Sequence, residues 1–276
     1  MYADLHIHSL HSDGKLTPAE IVKHAKDVGL KAISLTDHDT VKGVADIINH
    51  GRKKDIFVIP GVELSTEYKN EEIHILGYFI NHRDRRLNAR LQQLRNLKNK
   101  RTEKMAENLM RIYGIDISKE VSWVKKATHT LGRPHLARIL MEKGVASSMA
   151  DAFGKYLGEH CPAYVQRQRM TPKEGAKLIK QAGGLPVLAH PGLIKGDFDV
   201  LEIMEQGLEG IEVFHTNHTE EIQQRLEKLC LDNKWVITGG SDCHGDMLDG
   251  KLLMGSSGID EKYFRALLQY IDFFAT

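Results

Sequence analysis

The chain of 276 residues lacks features that would place it in several protein classes. Its three cysteines, Cys161, Cys230 and Cys243, have no CxxC spacing, which argues against a disulfide framework and favours a reducing compartment. No apolar run approaches the roughly 20 residues of a membrane span, and Met1–His6 has neither the basic nor the apolar region of a signal peptide. We therefore expect a cytoplasmic protein with no membrane partner and no obligate protein partner.

The chain also lacks an excess of charge of one sign, because its formal net charge is only +1. Overall charge therefore does not require a nucleic-acid or membrane partner. Hydrophobic residues make up 41% of the chain and charged residues 27%, a composition that excludes general disorder.

Short apolar segments alternate with helical segments towards both ends of the chain. Two of the helices begin with the same pattern, at Thr17 and at Thr171, in which a capping threonine precedes a proline and a glutamate can close a capping box. The predicted strands are Tyr2–His8, Ala32–Leu35, Phe57–Ile59, Ile73–Ile80, Leu185–Ala189, Gly210–Phe214 and Trp235–Thr238. This alternation predicts an α/β fold with a parallel sheet, and the number of strands suits a barrel.

Residues 83–160 have a different pattern. Leucine and methionine follow a helical spacing from Arg85 to Ile112, and Pro134–Lys143 and Ser147–Leu157 are two further predicted helices. We therefore predict an all-helical insertion at 83–160 in a barrel formed by 1–82 and 161–276. Residues 83–143 contain 16 Lys and Arg against 6 Asp and Glu. This surplus fits either a solvated helix face or a basic lid over a site for an anionic substrate.

The chain contains 15 histidines, and many of them follow predicted strands. His6 and His8 alternate along the first strand, so both side chains point to one side and can share an ion. In barrels, residues at the carboxyl ends of strands converge on one site. The candidate metal ligands are His6, His8, Asp13, His38, Glu63, His74, His190, Asp242 and His244.

Each of these residues alone has an ordinary explanation, since a strand carries an HxH pattern by chance and Asp13 or Asp242 could cap a turn. Together they exceed what one tetrahedral ion can use. They therefore predict two to three divalent ions, with imidazole and carboxylate ligands that suit Mn, Zn or Fe.

Several segments resemble the PHP (polymerase and histidinol phosphatase) family of metal-dependent phosphoesterases. The similar segments are DLHIHSLHSDG (4–14), LTDHDT (35–40), PGVELS (60–65), His74, LAHPG (188–192) and GGSDCHG (239–245). The resemblance implies a distorted (β/α)7 TIM-like barrel and three ions. The first ion would be held by His6, His8, Glu63 and Asp242. Glu63 would bridge to a second ion held by His74 and His190, and the third would be held by Asp13, His38 and His244.

Within the family, further segments resemble a subgroup that hydrolyses nucleoside 3′,5′-bisphosphates and trims short RNA in the 5′-3′ direction. These segments are GRPHLARIL (132–140), AFxxYLG (152–158), PAYV (162–165) and AGGLPVLAHP (182–191). They imply hydrolysis of a substrate such as adenosine 3′,5′-bisphosphate, to AMP and phosphate, or of a short oligonucleotide. The reaction would proceed by attack of a metal-bridging hydroxide.

Substrate contacts are predicted outside the ligand set. Arg133 can bind a phosphate in a bidentate manner, and His135 lies near it at the start of the same predicted helix. Asn217 and His218 follow another strand and are candidate substrate-binding residues. His215 or His218 is the candidate general acid for the leaving oxygen, and the sequence does not decide between them.

Three alternative functions predict different sequence features. A histidinol-phosphate-type phosphatase would act on a monoester, whereas the basic insertion and Arg133 favour a substrate with more than one phosphate. Amidohydrolases also begin with HxH on a first strand, but Asp13 and the strand ends at His38 and Glu63 fit them poorly. A metal-bound, non-catalytic PHP interaction module would not need the complete ligand set.

Overall fold

The computed structural model describes residues 1–128, 131–166, 169–194, 199–248 and 250–275. The chain divides into two compact units, one formed by residues 1–89 and 169–276 and the other by residues 90–168. We call them the barrel unit and the helical unit. None of the described helices is both long and apolar enough to cross a membrane.

The barrel unit is built on one seven-stranded sheet whose strands follow each other in chain order. The strands are β1 (Ala3–Ile7), β2 (Ala32–Leu35), β3 (Phe57–Tyr68), β4 (Glu71–Tyr78), β5 (Leu185–Leu188), β6 (Gly210–His215) and β7 (Val236–Gly240). A separate hairpin consists of β8 (Met247–Leu248) and β9 (Lys251–Leu252). The surrounding helices are α1 (Pro18–Asp27), α2 (Val44–Lys54), α7 (Pro172–Gln181), α8 (Val200–Met204), α9 (Glu220–Asn233) and α10 (Glu261–Ala275).

The sheet is mixed, which corrects the prediction of a parallel sheet. β4 runs antiparallel to both of its neighbours, β3 and β5. The reason is the connection between β3 and β4, which consists of Lys69 and Asn70, both with positive φ (50° and 68°). Two residues of this conformation form a tight hairpin, and a parallel connection would need a crossover of a dozen residues or more.

The sheet nearly closes into a barrel. The His8 N–H donates to the Cys243 carbonyl over 3.0 Å, and Ile7 forms a parallel bridge to the same residue just beyond β7. The two ends of the sheet therefore meet, and the distorted TIM-like barrel is confirmed. Because six of the seven strands run the same way, their carboxyl ends gather at one rim.

The two predicted capping boxes are confirmed at α1 and α7. At each, the threonine oxygen accepts from the backbone N–H of the glutamate three residues later, and that glutamate accepts from the threonine N–H. The pairs are Thr17 with Glu20 and Thr171 with Glu174. The fold thus begins two of its helices from local sequence alone.

The helical unit packs around its own apolar core. It contains most of α3 (Arg85–Tyr113), together with α4 (Ser118–Thr128), α5 (Arg133–Glu142) and α6 (Met149–Ala152), after which Phe153–Leu157 forms one π-helical turn. The structure shows α4, which the sequence patterns did not indicate. Met105, Leu109, Leu136 and Leu140 are among the residues of the buried core.

Candidate metal centre

The barrel rim brings all nine predicted ligands together. His6 and His8 lie at the end of β1, His38 follows β2, and His190 and Asp242 follow β5 and β7. Because β3 is longer than predicted and pairs with β4, it places Glu63 and His74 at the same rim, where Ser65 and His74 are register partners.

Glu63 lies at the centre of the cluster and is fully buried. Its Oε1 is 2.9 Å from His74 Nδ1 and 3.2 Å from His190 Nε2. Its Oε2 is 3.0–3.3 Å from nitrogens of His6, His8 and His38. One carboxylate therefore faces five imidazole rings and could bridge two cations.

Four atoms on one side of Glu63 form the most regular group. His6 Nε2 and His8 Nε2 each lie 3.1–3.3 Å from Glu63 Oε2 and from Asp242 Oδ1. Ligands at about 2.0–2.1 Å from a tetrahedral ion are separated by about 3.3 Å. The four imidazole–carboxylate distances match that separation, and His6, His8 and Glu63 form a group whose ligand atoms all lie within 4.8 Å of one another.

Two further groups share His38. Its Nδ1 lies with Glu63 and His74, and the His38 ring also belongs to a group with His8, Asp13 and His244 whose ligand atoms are within 4.8 Å of one another. His38 therefore also lies with Glu63 and His74, which the family resemblance assigned to the second ion, whereas the resemblance assigned His38 only to the third ion. Asp13 is 3.4 Å from His244 Nε2 and 3.8 Å from His38 Nε2.

The chemistry of these atoms fits divalent cations. Buried atoms without a hydrogen-bond partner include Nε2 of His6, both ring nitrogens of His8, Nδ1 of His38 and of His74, Glu63 Oε2 and Asp242 Oδ1. Buried polar atoms are normally satisfied, and each of these ring nitrogens lies within 4 Å of a carboxylate oxygen of Glu63, Asp242 or Asp13. A set of cations between them would satisfy the whole group.

The pKa values of the residues in this cluster also indicate that it attracts cations. Burial opposes protonation of His8, yet the adjacent carboxylates of Asp242 and Glu63 raise its pKa to about 9. Burial likewise opposes protonation of His74, and Glu63 raises its pKa to about 10. Burial raises the pKa of the Glu63 carboxyl less than the surrounding imidazoles lower it, so that pKa lies well below its usual range. The carboxylates thus attract positive charge to the rim.

Two ligand-bearing loops have strained backbone. His190 has φ 28° and Asp242 has φ 55°, a region that non-glycine residues rarely occupy. Such strain persists only where surrounding contacts enforce it, and it is concentrated at functional sites.

Three buried carboxylates around the rim were missed by the sequence reasoning. Asp4 accepts from the Ser241 hydroxyl and N–H, and Asp37 accepts from the Ser9 hydroxyl and N–H. Glu212 is 2.9 Å from His6 Nδ1 and accepts from the His190 N–H over 2.8 Å. The available signal was a single carboxylate inside an otherwise apolar strand, as in Ile211–Phe214.

The structure separates the two candidate general acids. Both ring nitrogens of His218 are engaged, since Nδ1 donates to the Val213 carbonyl and Nε2 accepts from the Gly192 N–H. In His215, Nδ1 accepts from the Asn217 N–H, and Nε2 lies 3.6 Å from Asp242 Oδ2. The Asn217 side chain is exposed.

Arg133 and His135 belong to the helical unit, at the start of α5. The Arg133 guanidinium lies 5.6 Å from the ring centres of both Phe153 and Tyr164. His135 Nδ1 accepts from the Gly132 N–H, which leaves Nε2 as its other polar atom. Burial lowers the pKa of His135, and Lys98 lowers it further.

Comparison with known proteins gives consistent relatives. A sequence model of the PHP domain matches residues 4–160. The chain is 33% identical to the 5′-3′ exoribonuclease Rnm of Escherichia coli, over 87% of this chain and 84% of that protein. It is 30% identical to the 3′,5′-nucleoside bisphosphate phosphatase of Chromobacterium violaceum, over 87% and 86%. A solved structure from Bifidobacterium adolescentis, described as a metal-dependent phosphoesterase, matches with a TM-score of 0.80 at 27% identity, over 97% and 96%.

Proposed function

The chain belongs to the PHP domain family and is a hydrolase of the phosphoesterase class, and from this premise we propose that it hydrolyses nucleoside 3′,5′-bisphosphates or trims short RNA in the 5′-3′ direction. The observation that carries the proposal is the convergence of five imidazoles on the buried Glu63. The names of the two relatives support the choice of substrate.

The rim would hold two to three divalent ions, of Mn, Zn or Fe. One ion would be held by His6, His8, Glu63 and Asp242. A second would be held by Glu63, His74, His190 and His38, and a third by Asp13, His38 and His244. When bound, such ions supply an activated water near neutral pH and offset charge on the phosphoryl oxygens. Glu63 orients the ligands, because it contacts rings on both sides.

His215 is the better candidate for the group that protonates the leaving oxygen. Since its Nδ1 accepts a hydrogen bond, its proton resides on Nε2, next to Asp242 at the rim. His218 has no ring nitrogen left for a substrate because both are already hydrogen-bonded. We assign His218 to holding the Gly192 loop in place of the predicted substrate contact, and the predicted substrate contact of Asn217 remains a prediction.

A second phosphate is the basis of the proposed selectivity. Arg133 offers a planar guanidinium that matches phosphate oxygens, and His135 Nε2 is an additional donor or acceptor. Binding energy at a second phosphate can be used to orient the first, so it should raise kcat/KM. The predicted insertion at 83–160 as a basic lid, and a cytoplasmic location, remain predictions.

A substrate panel under one metal condition tests the proposal. It includes adenosine 3′,5′-bisphosphate, 3′-AMP, 5′-AMP, trinucleotides with and without a 5′-phosphate, and histidinol phosphate. We expect the bisphosphate or the 5′-phosphorylated RNA to have the highest kcat/KM. Preference for histidinol phosphate would contradict the proposal, and no hydrolysis of any substrate by metal-loaded protein would favour a non-catalytic module.

A further inference from the structure

Glu212 connects ligands that lie on opposite sides of Glu63. It lies in the middle of β6 and is fully buried. Oε1 is 2.9 Å from His6 Nδ1, and Oε2 accepts from the His190 N–H over 2.8 Å. His6 faces Glu63 Oε2 and His190 faces Glu63 Oε1.

The contact with His6 determines which ring nitrogen carries the proton. A carboxylate oxygen can only accept a hydrogen bond, so His6 Nδ1 must be the donor. In the neutral ring, Nε2 then keeps its lone pair, and it points at Glu63 and Asp242. Only an unprotonated nitrogen can bind a metal ion.

The contact with His190 acts on the backbone. His190 has φ 28°, a conformation with a cost that neighbouring contacts must offset. The hydrogen bond from its N–H to Glu212 holds the residue where its Nε2 lies 3.2 Å from Glu63. The rings of His190 and His6 also stack, with their centres 5.7 Å apart and an angle of 15° between their planes.

We propose that Glu212 is a positioning residue for metal binding, which fixes the tautomer of His6 with one oxygen and the backbone of His190 with the other. The inference rests on the metal-dependent function proposed above. It assigns to one buried carboxylate the orientation of ligands for two different ions. Outer partners of ligating histidines commonly act on ligand basicity and orientation in this way.

Glu212→Gln is the direct test, and Glu72→Gln is its matched control. Glu72 also approaches a ligand histidine, with Oε1 3.5 Å from His74 Nε2, but its side chain is 40% exposed. A glutamine at 212 has one acceptor oxygen for two donors, so its NH2 group opposes either the His6 ring or the His190 N–H. At position 72, solvent can replace what the carboxylate provided.

Metal affinity of the metal-free proteins is measured with Zn²⁺ and Mn²⁺ in competition with a chromophoric chelator. We expect Glu212→Gln to weaken binding by about 10–100-fold and Glu72→Gln by at most about fivefold. Equal affinity of Glu212→Gln and the wild type would overturn the proposal and leave the proposed function standing. A wild type that binds no metal would overturn both.

Nitrogen-15 NMR of the Zn²⁺-loaded wild type gives a readout that does not depend on folding of the variant. We expect a slowly exchanging proton on His6 Nδ1 and none on Nε2, and we expect this signal to be retained in Glu72→Gln. Its absence from His6 Nδ1 in the wild type would overturn the proposal. Where Glu212→Gln folds, the signal should exchange faster or disappear.

Discussion

The barrel unit and the helical unit differ in the burial of their ionisable side chains. In the barrel unit, Asp4, Glu63 and Glu212 are fully buried, and so are His6 and His8. In the helical unit, the buried polar side chains among the described residues are only Asn99, Thr102 and Asn108. None of the 14 Lys and Arg or 7 Asp and Glu among the described residues of this unit is buried, and some form ion pairs such as Lys143–Glu120 and Lys104–Glu107.

The two kinds of charge carry different information. Burying an ionised group costs several kcal/mol unless partners satisfy it, so a cluster of buried carboxylates and imidazoles indicates a site that holds charge for a purpose. Exposed ion pairs contribute about 0–1 kcal/mol each, and a surface surplus of lysine and arginine is compatible with solubility as well as with anion binding. The difference predicts metal-linked effects in one unit and substrate-linked effects in the other.

Glu63→Ala should have the largest effect. It removes the carboxylate that the His6–His8 group and the His38–His74 group share, so we expect bound metal to be lost and turnover to fall by more than the roughly 10–100-fold typical of an outer partner. Elemental analysis and phosphate release measure the two losses. Glu67→Ala, on the same strand β3, is the control and should retain both. A fully metal-loaded, active Glu63→Ala protein would contradict the assignment.

His215→Gln should lower kcat by about 10²–10⁴-fold, the usual contribution of a general acid, while metal content is retained. The loss should shrink on an aryl phosphate, whose leaving group needs no proton. His218→Gln should instead lower the thermal unfolding temperature, because His218 bonds hold the Gly192 loop. The same loss of kcat in both variants on both substrates would remove the distinction.

Arg133→Ala tests the helical unit. We expect kcat/KM on a bisphosphate to fall by about 2–4 kcal/mol in transition-state stabilisation, with a higher KM and unchanged metal content. Arg133→Lys should recover only part of the loss, since it keeps the charge without the bidentate geometry. Arg138→Ala, on the same helix, is the control. If Arg133→Ala matches the parent on every substrate, the surface charge of this unit has no role in binding.

The pH dependence of stability should differ between the units in metal-free protein. The folded-state pKa values of His8 and His74 are about 9 and about 10, against an ordinary value of 6.5. Bound protons therefore stabilise the barrel unit fully below about pH 6.5, and this contribution is lost as the pH rises to 9–10. Fluorescence of Trp235 in a Trp123→Phe variant should report a lower unfolding temperature at pH 9.5 than at pH 6.5. Metal loading should abolish the shift.

Helix capping should give the smallest effect, in both units. Thr171→Ala and, in the helical unit, Ser148→Ala each remove a side-chain acceptor at a helix start, at a cost of about 1 kcal/mol in the free energy of unfolding. Denaturant titration measures the cost, and metal content should not change. A loss of metal in Thr171→Ala would show that barrel stability and metal binding are more closely linked than the geometry indicates.

Local chemistry made much of the fold predictable. The Thr17 and Thr171 capping boxes depend on contacts within four residues, and the alternation of strands and helices is a periodic property of the chain. The convergence of the nine candidate ligands was predictable for a similar reason, because the strand ends of a barrel share one rim whatever the packing. The antiparallel β4 was missed, although the Lys69-Asn70 turn carries a local signal for a hairpin.

The sequence by itself determined which residues could hold metal ions, since the His, Asp and Glu residues at strand ends carry nitrogen and oxygen atoms that bind such ions. The tertiary structure decided how these residues are arranged. Glu63 faces five imidazole rings, His38 lies with Glu63 and His74 as well as with Asp13 and His244, and Glu212 contacts His6 across 206 positions of the chain. It also distinguishes His215 from His218, because both ring nitrogens of His218 are hydrogen-bonded and His215 Nε2 is not. Hydrogen-bond partners and burial fix the tautomer and charge of a side chain, and both arise from segments that are distant in sequence.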